Sequence, residues 1–210
     1  MSQYGLALHT TSPQLGLALS DFYQEKKIAT WELGRDLSTQ LHIILQDFLA
    51  PYQWWDLALI AVAKGPGSFT GTRMGMATAR TLAQQLEIPL FAISTLLGIA
   101  AYEQSIAPDL FPDHHLIAVQ LPARRQQSFV GIYQVRETGL MTYLSDTIMT
   151  AETWEETLAT LNQPYQRIKA TEEALGKTVS SLLDLAIKDW QQGKSPTLEE
   201  AKPFYGQSPV

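Results

Sequence analysis

A continuous apolar run in this chain leads directly into a glycine-rich loop, and this pair of segments limits the folds that the chain can adopt. The run, Leu57–Ala63, is rich in Leu, Ile and Val, and it is typical of a strand buried on both faces of a sheet. The loop, Lys64–Gly75, leads into a segment with helical periodicity, which predicts a helix from about Thr72 to Leu86. A buried strand, a short loop and a helix in this order are typical of an α/β protein.

The residues on either side of this unit predict further strands and helices. Two short apolar segments, Tyr4–His9 and Leu15–Ser20, are separated by a turn, and Ile28–Leu33 has the mixed pattern of a half-exposed strand. Short connections between the three indicate an antiparallel meander. Apolar residues at 3.6-residue spacing then predict a helix over Leu37–Leu49, with Asp36 as its N-cap.

The second half of the chain repeats this alternation after a Pro-containing linker at 105–115. Before the linker we predict a strand at Leu90–Ile93 and a helix, capped by Ser94, that reaches about Gln104. After it we predict strands at Leu116–Leu121, at Phe129–Val135 and within 140–150, helices at Ala151–Leu161 and Glu172–Trp190, and an extended tail from Pro196 to Val210. The sequence therefore predicts two related α/β domains, over 1–108 and 109–210.

Composition excludes several classes of function. The chain of 210 residues has no cysteine, which excludes a disulfide scaffold, a thiol nucleophile and cysteine-ligated metal centres. A net charge of -6 argues against broad, unaided nucleic-acid binding. The longest apolar run is far shorter than a membrane span, and the N-terminus, Met1–Tyr4, carries no basic segment of a signal peptide. These features predict a cytoplasmic protein without a membrane partner.

The loop itself has two interpretations from its residues alone. It joins a buried strand to a helix N-terminus, where free backbone N–H groups attract anions, so Gly65, Gly67, Ser68 and Thr70 form a candidate anion-binding loop. However, the sequence matches neither of the common phosphate-binding glycine motifs. The alternative is a tight turn in which the glycines supply unusual backbone angles.

The helix after the loop carries small residues at every fourth position, which places them on one ridge. These residues are Gly71, Gly75, Ala79 and Ala83. Because glycine inside a helix costs up to about 1 kcal/mol relative to alanine, the ridge indicates close approach of another backbone. That backbone belongs either to the chain's own sheet or to the helix of another subunit, and the sequence leaves both open.

The loop sequence GPGSFTGTRMG closely resembles the GPGSFTGxRxG motif of the bacterial TsaB (YeaZ) family. Weaker matches follow in the expected order along most of the chain. They are Thr10-Thr11-Ser12, Arg35-Asp36, Ser94-Thr95-Leu96, Ala123-Arg124 and Pro203-Phe204-Tyr205.

The resemblance implies an actin-like ATPase fold of the ribonuclease H-like type and a role without catalysis. Family members are dimerisation subunits in the synthesis of tRNA threonylcarbamoyladenosine. They pair with the catalytic subunit TsaD, the ATPase TsaE joins them, and homodimers form through the same surface. For a protein with this role, the net charge of -6 predicts that tRNA is contacted only indirectly. The resemblance also implies that the first two helices form the interface. The interface residues implied here are Leu41, Leu45, Gly71, Arg73, Met74, Gly75, Thr78, Ala79 and Leu82.

Two departures from the family pattern reinforce the absence of catalysis. His9 stands where an aspartate commonly ends the first strand, and Pro122 stands where the second domain commonly begins with Asp-Ala-Arg. Hard cations prefer oxygen ligands, so both positions are unsuited to a metal–phosphate. No two histidines have HxxxH spacing. We therefore predict no catalytic residue, no cofactor and no metal. The alternatives are an actin-fold nucleotide-binding phosphotransferase and a glycoprotease-like peptidase.

Overall fold

The computed structural model describes residues 3–23 and 25–206, so Met1 and Ser2, on which the signal-peptide prediction partly rests, lie outside it. The first half contains a five-stranded sheet in the order β3-β2-β1-β4-β5. The strands are β1 (Tyr4–His9), β2 (Gln14–Ser20), β3 (Lys26–Glu32), β4 (Leu57–Ala63) and β5 (Leu90–Ile93). The predicted meander is confirmed, because β1, β2 and β3 pair antiparallel. Strand β4 pairs parallel with both β1 and β5, and every residue of β4 is buried.

Helices α1 (Leu37–Leu49) and α2 (Phe69–Leu86) share one hydrophobic core with the first sheet. Helix α1 has the predicted bounds, although the Asp36 side chain makes no capping hydrogen bond. The leucines of β1 and β2 alternate with residues that face the other side of the sheet, so one face of each strand is available to these helices. The core between them includes Leu6, Leu8, Leu17, Leu41, Leu45, Met76, Ala79 and Ala83.

Helix α2 begins at Phe69, three residues before the predicted start at Thr72. The reason is Ser68, whose Oγ accepts a hydrogen bond from the N–H of Gly71 at 3.2 Å. The carbonyl of Ser68 accepts both the N–H of Thr72 at 2.9 Å and its hydroxyl at 2.6 Å. The bond to the Ser68 side chain satisfies a backbone donor that a helix N-terminus leaves free, and the Ser68 carbonyl accepts the first backbone bond of the helix, so the helix begins directly after Ser68.

The second half contains a four-stranded sheet in the order β8-β7-β6-β9. Its strands are β6 (Leu116–Pro122), β7 (Gln127–Arg136), β8 (Gly139–Thr150) and β9 (Tyr165–Lys169). Three strands pair antiparallel and β9 pairs parallel with β6, which repeats the first four positions of the other sheet and confirms two related halves. Strand β9 was not predicted, because its sequence, YQRIK, is mostly polar and half-exposed at the sheet edge.

Helix α3 (Thr95–Ile106) precedes the second sheet, with Ser94 as its N-cap as predicted, and α4 (Ala151–Ala159) follows β8. Helix α5 spans Val179–Gln191, so the helix predicted from Glu172 begins seven residues later than expected. The left-handed Ala174 (φ 60°) and a 3₁₀ turn over Leu175–Thr178 occupy the missing part, and a continuous α-helix cannot pass through a left-handed residue.

Helix α5 returns to cover the other face of the first sheet. Val179, Leu183 and Ala186 pack there with Ala7 and Ala18 in a separate core. The strands of the first sheet therefore precede residue 108, and those of the second sheet follow it. Helix α5 comes from the second half of the chain but packs against the first sheet. The domain limits 1–108 and 109–210 stay a prediction.

The tail after α5 has no helix or strand up to Gly206, in agreement with the predicted extended segment, and 207–210 lie outside the described residues. It runs along α2, where Nη1 of Arg80 donates hydrogen bonds to the carbonyls of Leu198 and Ala201. The N–H of Phe204 donates to the carbonyl of Lys64 at 2.7 Å. None of the helices in the described ranges is both long enough and apolar enough to cross a membrane.

Candidate functional site

The loop between β4 and α2 is packed closely by two other parts of the chain. Gly65 has φ +96°, and a Cβ on it would lie 2.3 Å from the carbonyl oxygen of Phe204. Gly67 has φ +151°, and its Cβ would lie 2.2 Å from the carbonyl oxygen of Thr11, which also accepts the N–H of Ser68 at 2.7 Å. A side chain at either position would clash with the backbone, which explains why both residues are glycine and favours the tight-turn interpretation. Anion binding by Gly65, Gly67, Ser68 and Thr70 stays a prediction.

The small-residue ridge of α2 faces the chain's own sheet. A Cβ on Gly71 would lie 2.0 Å from the carbonyl oxygen of Thr10, and one on Gly75 would lie 2.1 Å from the Thr10 hydroxyl. Ala79 and Ala83 continue the ridge in the core, where both are buried. Of the two partners that the sequence left open for the ridge, the structure therefore assigns the first: the ridge lets α2 approach the end of β1.

The implied interface residues consequently fall into three groups. Leu45, Met74, Thr78 and Leu82 come together along a groove between α1 and α2. Leu41, Gly71, Gly75 and Ala79 are buried against the sheet and can influence a partner only by positioning the two helices. Arg73 is exposed elsewhere on α2, with its guanidinium 5.2 Å from the centre of the Phe69 ring. An interface through these residues stays a proposal.

The groove between α1 and α2 has a volume of about 530 Å³, and none of the described residues that line it is Asp, Glu, Lys or Arg. Its other lining residues, absent from the expected set, are His42, Gln46, Trp54, Ala77 and Thr81. Helical spacing could have predicted most of these lining residues, because positions 42 and 46 lie one turn apart on α1, and positions 77 and 81 lie one turn apart on α2. The exposed side chain of Ile43 lies on the same helix as His42, and 74% of Trp55, next to Trp54, is exposed.

A cleft of about 550 Å³ opens between the two halves. Ser68 and Thr70 line it from the start of α2, Pro122 and Arg124 line it from the second half, and Tyr205 comes from the tail. The described residues contain no cluster of three or more His, Cys, Asp or Glu side chains that could hold a metal ion. The expectations of no catalytic residue, no cofactor and no metal stay predictions.

His9 ends β1 and is completely buried. Neither ring nitrogen has a hydrogen-bond partner, and burial lowers the pKa of His9 from 6.5 to about 4. The imidazole is therefore neutral near pH 7 and carries no charge that could replace a carboxylate. Pro122, at the other position, lines the cleft with a side chain that has no polar atom.

The strand orders and the glycine loop at the start of α2 place the chain among α/β proteins built from two related halves, each with a mixed sheet. The solved structure of YeaZ from Pseudomonas aeruginosa has this fold, with a TM-score of 0.75 and 21% identity, over 97% of this chain and 99% of that one.

The sequence comparisons identify the family within this class. A family model described as TsaD, tRNA N6-adenosine threonylcarbamoyltransferase, matches residues 33–188. The tRNA threonylcarbamoyladenosine biosynthesis protein TsaB of Bacillus subtilis is 34% identical in an alignment 166 positions long that covers 76% of this chain and 67% of that protein. Its namesake in Escherichia coli is 26% identical in an alignment 170 positions long that covers 71% of each chain. The chain belongs to the TsaB (YeaZ) family.

Proposed function

We propose that this protein is a non-catalytic subunit of the cytoplasmic machinery that installs threonylcarbamoyl on adenosine 37 of tRNA. It pairs with a TsaD-like catalytic subunit through the groove between α1 and α2, and a TsaE-like ATPase joins the pair. Membership of a family whose curated members are named for tRNA threonylcarbamoyladenosine biosynthesis supports the pathway. The groove supports the role as a partner.

The uncharged groove is the observation that carries the proposal. The centres of protein interfaces are depleted of charged residues and enriched in aromatic residues and methionine, and this groove combines Trp54 and Met74 with Leu45 and Leu82. Core packing fixes its two walls, because Leu41 and Leu45 of α1 and Ala79 and Ala83 of α2 are buried in the same cluster. A rigid groove loses little conformational entropy when a partner binds.

The absence of catalysis rests on the two altered strand ends. His9, which is buried and neutral, and Pro122 offer no carboxylate that could hold a magnesium ion and, through it, a phosphate group. A nucleotide-binding phosphotransferase requires such groups, so we expect isothermal titration calorimetry with ATP and magnesium to show no binding to the isolated chain. Binding and hydrolysis of ATP by this chain alone would support the phosphotransferase instead. Metal-dependent proteolysis would support the peptidase.

The pairing is tested with two matched variants of α1. Gln46→Arg places a cation in the uncharged groove, whereas Gln40→Arg makes the same change at an exposed position of α1 that does not line the groove. We expect Gln46→Arg to weaken binding to the cognate TsaD-like protein at least tenfold by calorimetry, because a buried unpaired charge is costly in an interface. The Gln40→Arg variant is expected to bind like the wild type.

Equal effects of the two variants, or none, would contradict the proposed interface. A second copy of this chain is the other partner that could occupy the groove, and light scattering of the isolated chain tests for it. If Gln46→Arg dissociates a homodimer but leaves binding to the TsaD-like protein intact, the groove serves self-association only. Substitution of Gly75 is not a suitable test, because its Cα lies against Thr10 inside the fold.

A further inference from the structure

A second groove lies between α2 and the C-terminal tail and has a volume of about 470 Å³. Unlike the groove between α1 and α2, it is basic. Its polar lining comes from Arg73, Arg80, Thr81, Gln84, Lys202 and Tyr205, and within the part of the chain that the structure describes no acidic residue lines it. Three cations therefore gather in one place on a chain whose net charge is -6.

The positive charge of this basic groove is not neutralised by carboxylates. Arg80 is held by the tail, but its Nη1 donates to two backbone carbonyls, which leave its charge intact. Arg73 lies over the face of Phe69, which in turn packs on Tyr205 with ring centres 4.7 Å apart. Neither arginine, nor Lys202, takes part in the ion pairs found among the described residues.

The nearest acidic residues in sequence belong to the same tail. Glu199 and Glu200 precede Lys202, and neither lines the groove. The carboxylate of Glu200 accepts the N–H of Thr197 at 3.2 Å and its hydroxyl at 3.0 Å, so it is engaged in a turn of the tail. The charges of the basic groove are therefore available to an anionic ligand.

The combination of donors favours an RNA backbone over an acidic peptide. Guanidinium, ammonium, amide and hydroxyl groups are the donors that contact phosphate and ribose oxygens. The Tyr205 ring adds a flat surface of the kind on which unpaired RNA bases stack.

We propose that the basic groove binds the phosphate backbone of the tRNA substrate, an inference that rests on the proposed function. The two grooves share the α2 residues Ala77 and Thr81, so a tRNA held here would lie beside the TsaD-like partner. The expectation of indirect tRNA contact was based on net charge, which does not describe the local distribution of charge. The clustering of these cations is a property of the fold.

The test measures tRNA affinity of the assembled complex by fluorescence anisotropy, with an unmodified transcript that carries adenosine 37. Lys202→Glu reverses one charge in the basic groove. Lys169→Glu makes the same change at an exposed lysine that ends β9 on the second sheet. At about 0.15 M salt, where the screening length is about 8 Å, we expect Lys202→Glu to weaken tRNA binding about tenfold and Lys169→Glu to change it less than twofold.

A second readout separates a phosphate contact from a structural effect. We expect the slope of log affinity against log salt to fall by about one when Lys202 is replaced by glutamine, because one phosphate contact is lost. Equal losses for the two glutamate variants, or none, would overturn the proposal. Loss of complex assembly in Lys202→Glu would also overturn it, because the groove would then hold an acidic part of a protein. An intact complex with unchanged tRNA affinity refutes only the basic groove and leaves the proposed function standing.

Discussion

The Cα of Gly75 lies against the side chain of Thr10, so that a Cβ at position 75 would come within 2.1 Å of the Thr10 hydroxyl oxygen. The same hydroxyl donates a hydrogen bond to the carbonyl of Gly71 at 2.8 Å. The contact sets how closely α2 approaches the end of β1. It also decides which face of α2 lines the groove with α1, because Met74, Thr78 and Leu82 lie one position before the buried ridge residues.

Gly75→Ala is therefore expected to destabilise the protein by about 1–3 kcal/mol, the usual cost of overpacking a closely packed contact, although alanine favours helix more than glycine does. Urea denaturation measures the free energy of unfolding. A double-mutant cycle with Thr10→Ala provides the control, because removal of the hydroxyl relieves the clash and makes the two changes less than additive. A neutral or stabilising Gly75→Ala would contradict the contact.

Buried His9 gives a defined pH dependence. Its pKa is lowered to about 4 in the folded protein and is about 6.5 when unfolded, so below pH 6.5 the unfolded chain takes up a proton that the folded chain excludes. Stability from this group is complete above pH 6.5 and falls as the pH drops toward 4. We expect the wild type to lose about 2 kcal/mol more than His9→Leu between pH 7 and pH 5, measured by urea denaturation. Identical pH profiles for the two proteins would contradict this.

Arg80 is expected to hold the tail on α2. Arg80→Met keeps an apolar stem but leaves the carbonyls of Leu198 and Ala201 without this donor. Hydrogen–deuterium exchange over 198–204 should become at least tenfold faster, which corresponds to about 1.4 kcal/mol of lost local stability. Arg73→Met, two turns earlier on α2, removes a contact with Phe69 instead and serves as the control. Unchanged exchange in Arg80→Met would show that the tail is held by its other contacts.

Asp146 is expected to join the two halves. The Ser94 hydroxyl, from the first half, donates to one oxygen of Asp146 at 2.5 Å, and the Tyr133 hydroxyl donates to the other oxygen at 2.5 Å. Burial and the nearby carboxylate raise the pKa of Tyr133, which keeps it a donor. Asp146→Asn weakens both bonds and should cost about 2 kcal/mol in the free energy of unfolding.

The matched control for Asp146→Asn is the same substitution at Asp184, whose exposed carboxylate pairs with Lys26 on the surface. Exposed ion pairs contribute about 1 kcal/mol or less, so the Asp184→Asn variant should remain close to the wild type in thermal denaturation. Comparable losses for the two variants would show that Asp146 is no more important than a surface pair.

Elements with a local sequence signal could be predicted from the residues alone. The apolar run of β4, the periodicity of α1 and the turns of the meander predicted their bounds closely, because each pattern reflects burial within one segment. The start of α2 was placed three residues late, because the capping bond from Gly71 to Ser68 was not anticipated. Strand β9 escaped prediction because an edge strand buries too little to show an apolar pattern.

The positions of the two grooves could not be predicted from local patterns, because each groove depends on contacts between distant segments. The ridge on α2 was visible as a spacing, but its contact with Thr10 depends on where β1 ends relative to a helix more than 60 residues away in sequence. The basic groove is still less local, because Arg73, Arg80 and Lys202 meet only where the tail returns to α2. The pattern of apolar residues in a segment indicates which side chains of that segment are buried. Which segments come together depends on long-range packing, and that packing has no period along the chain.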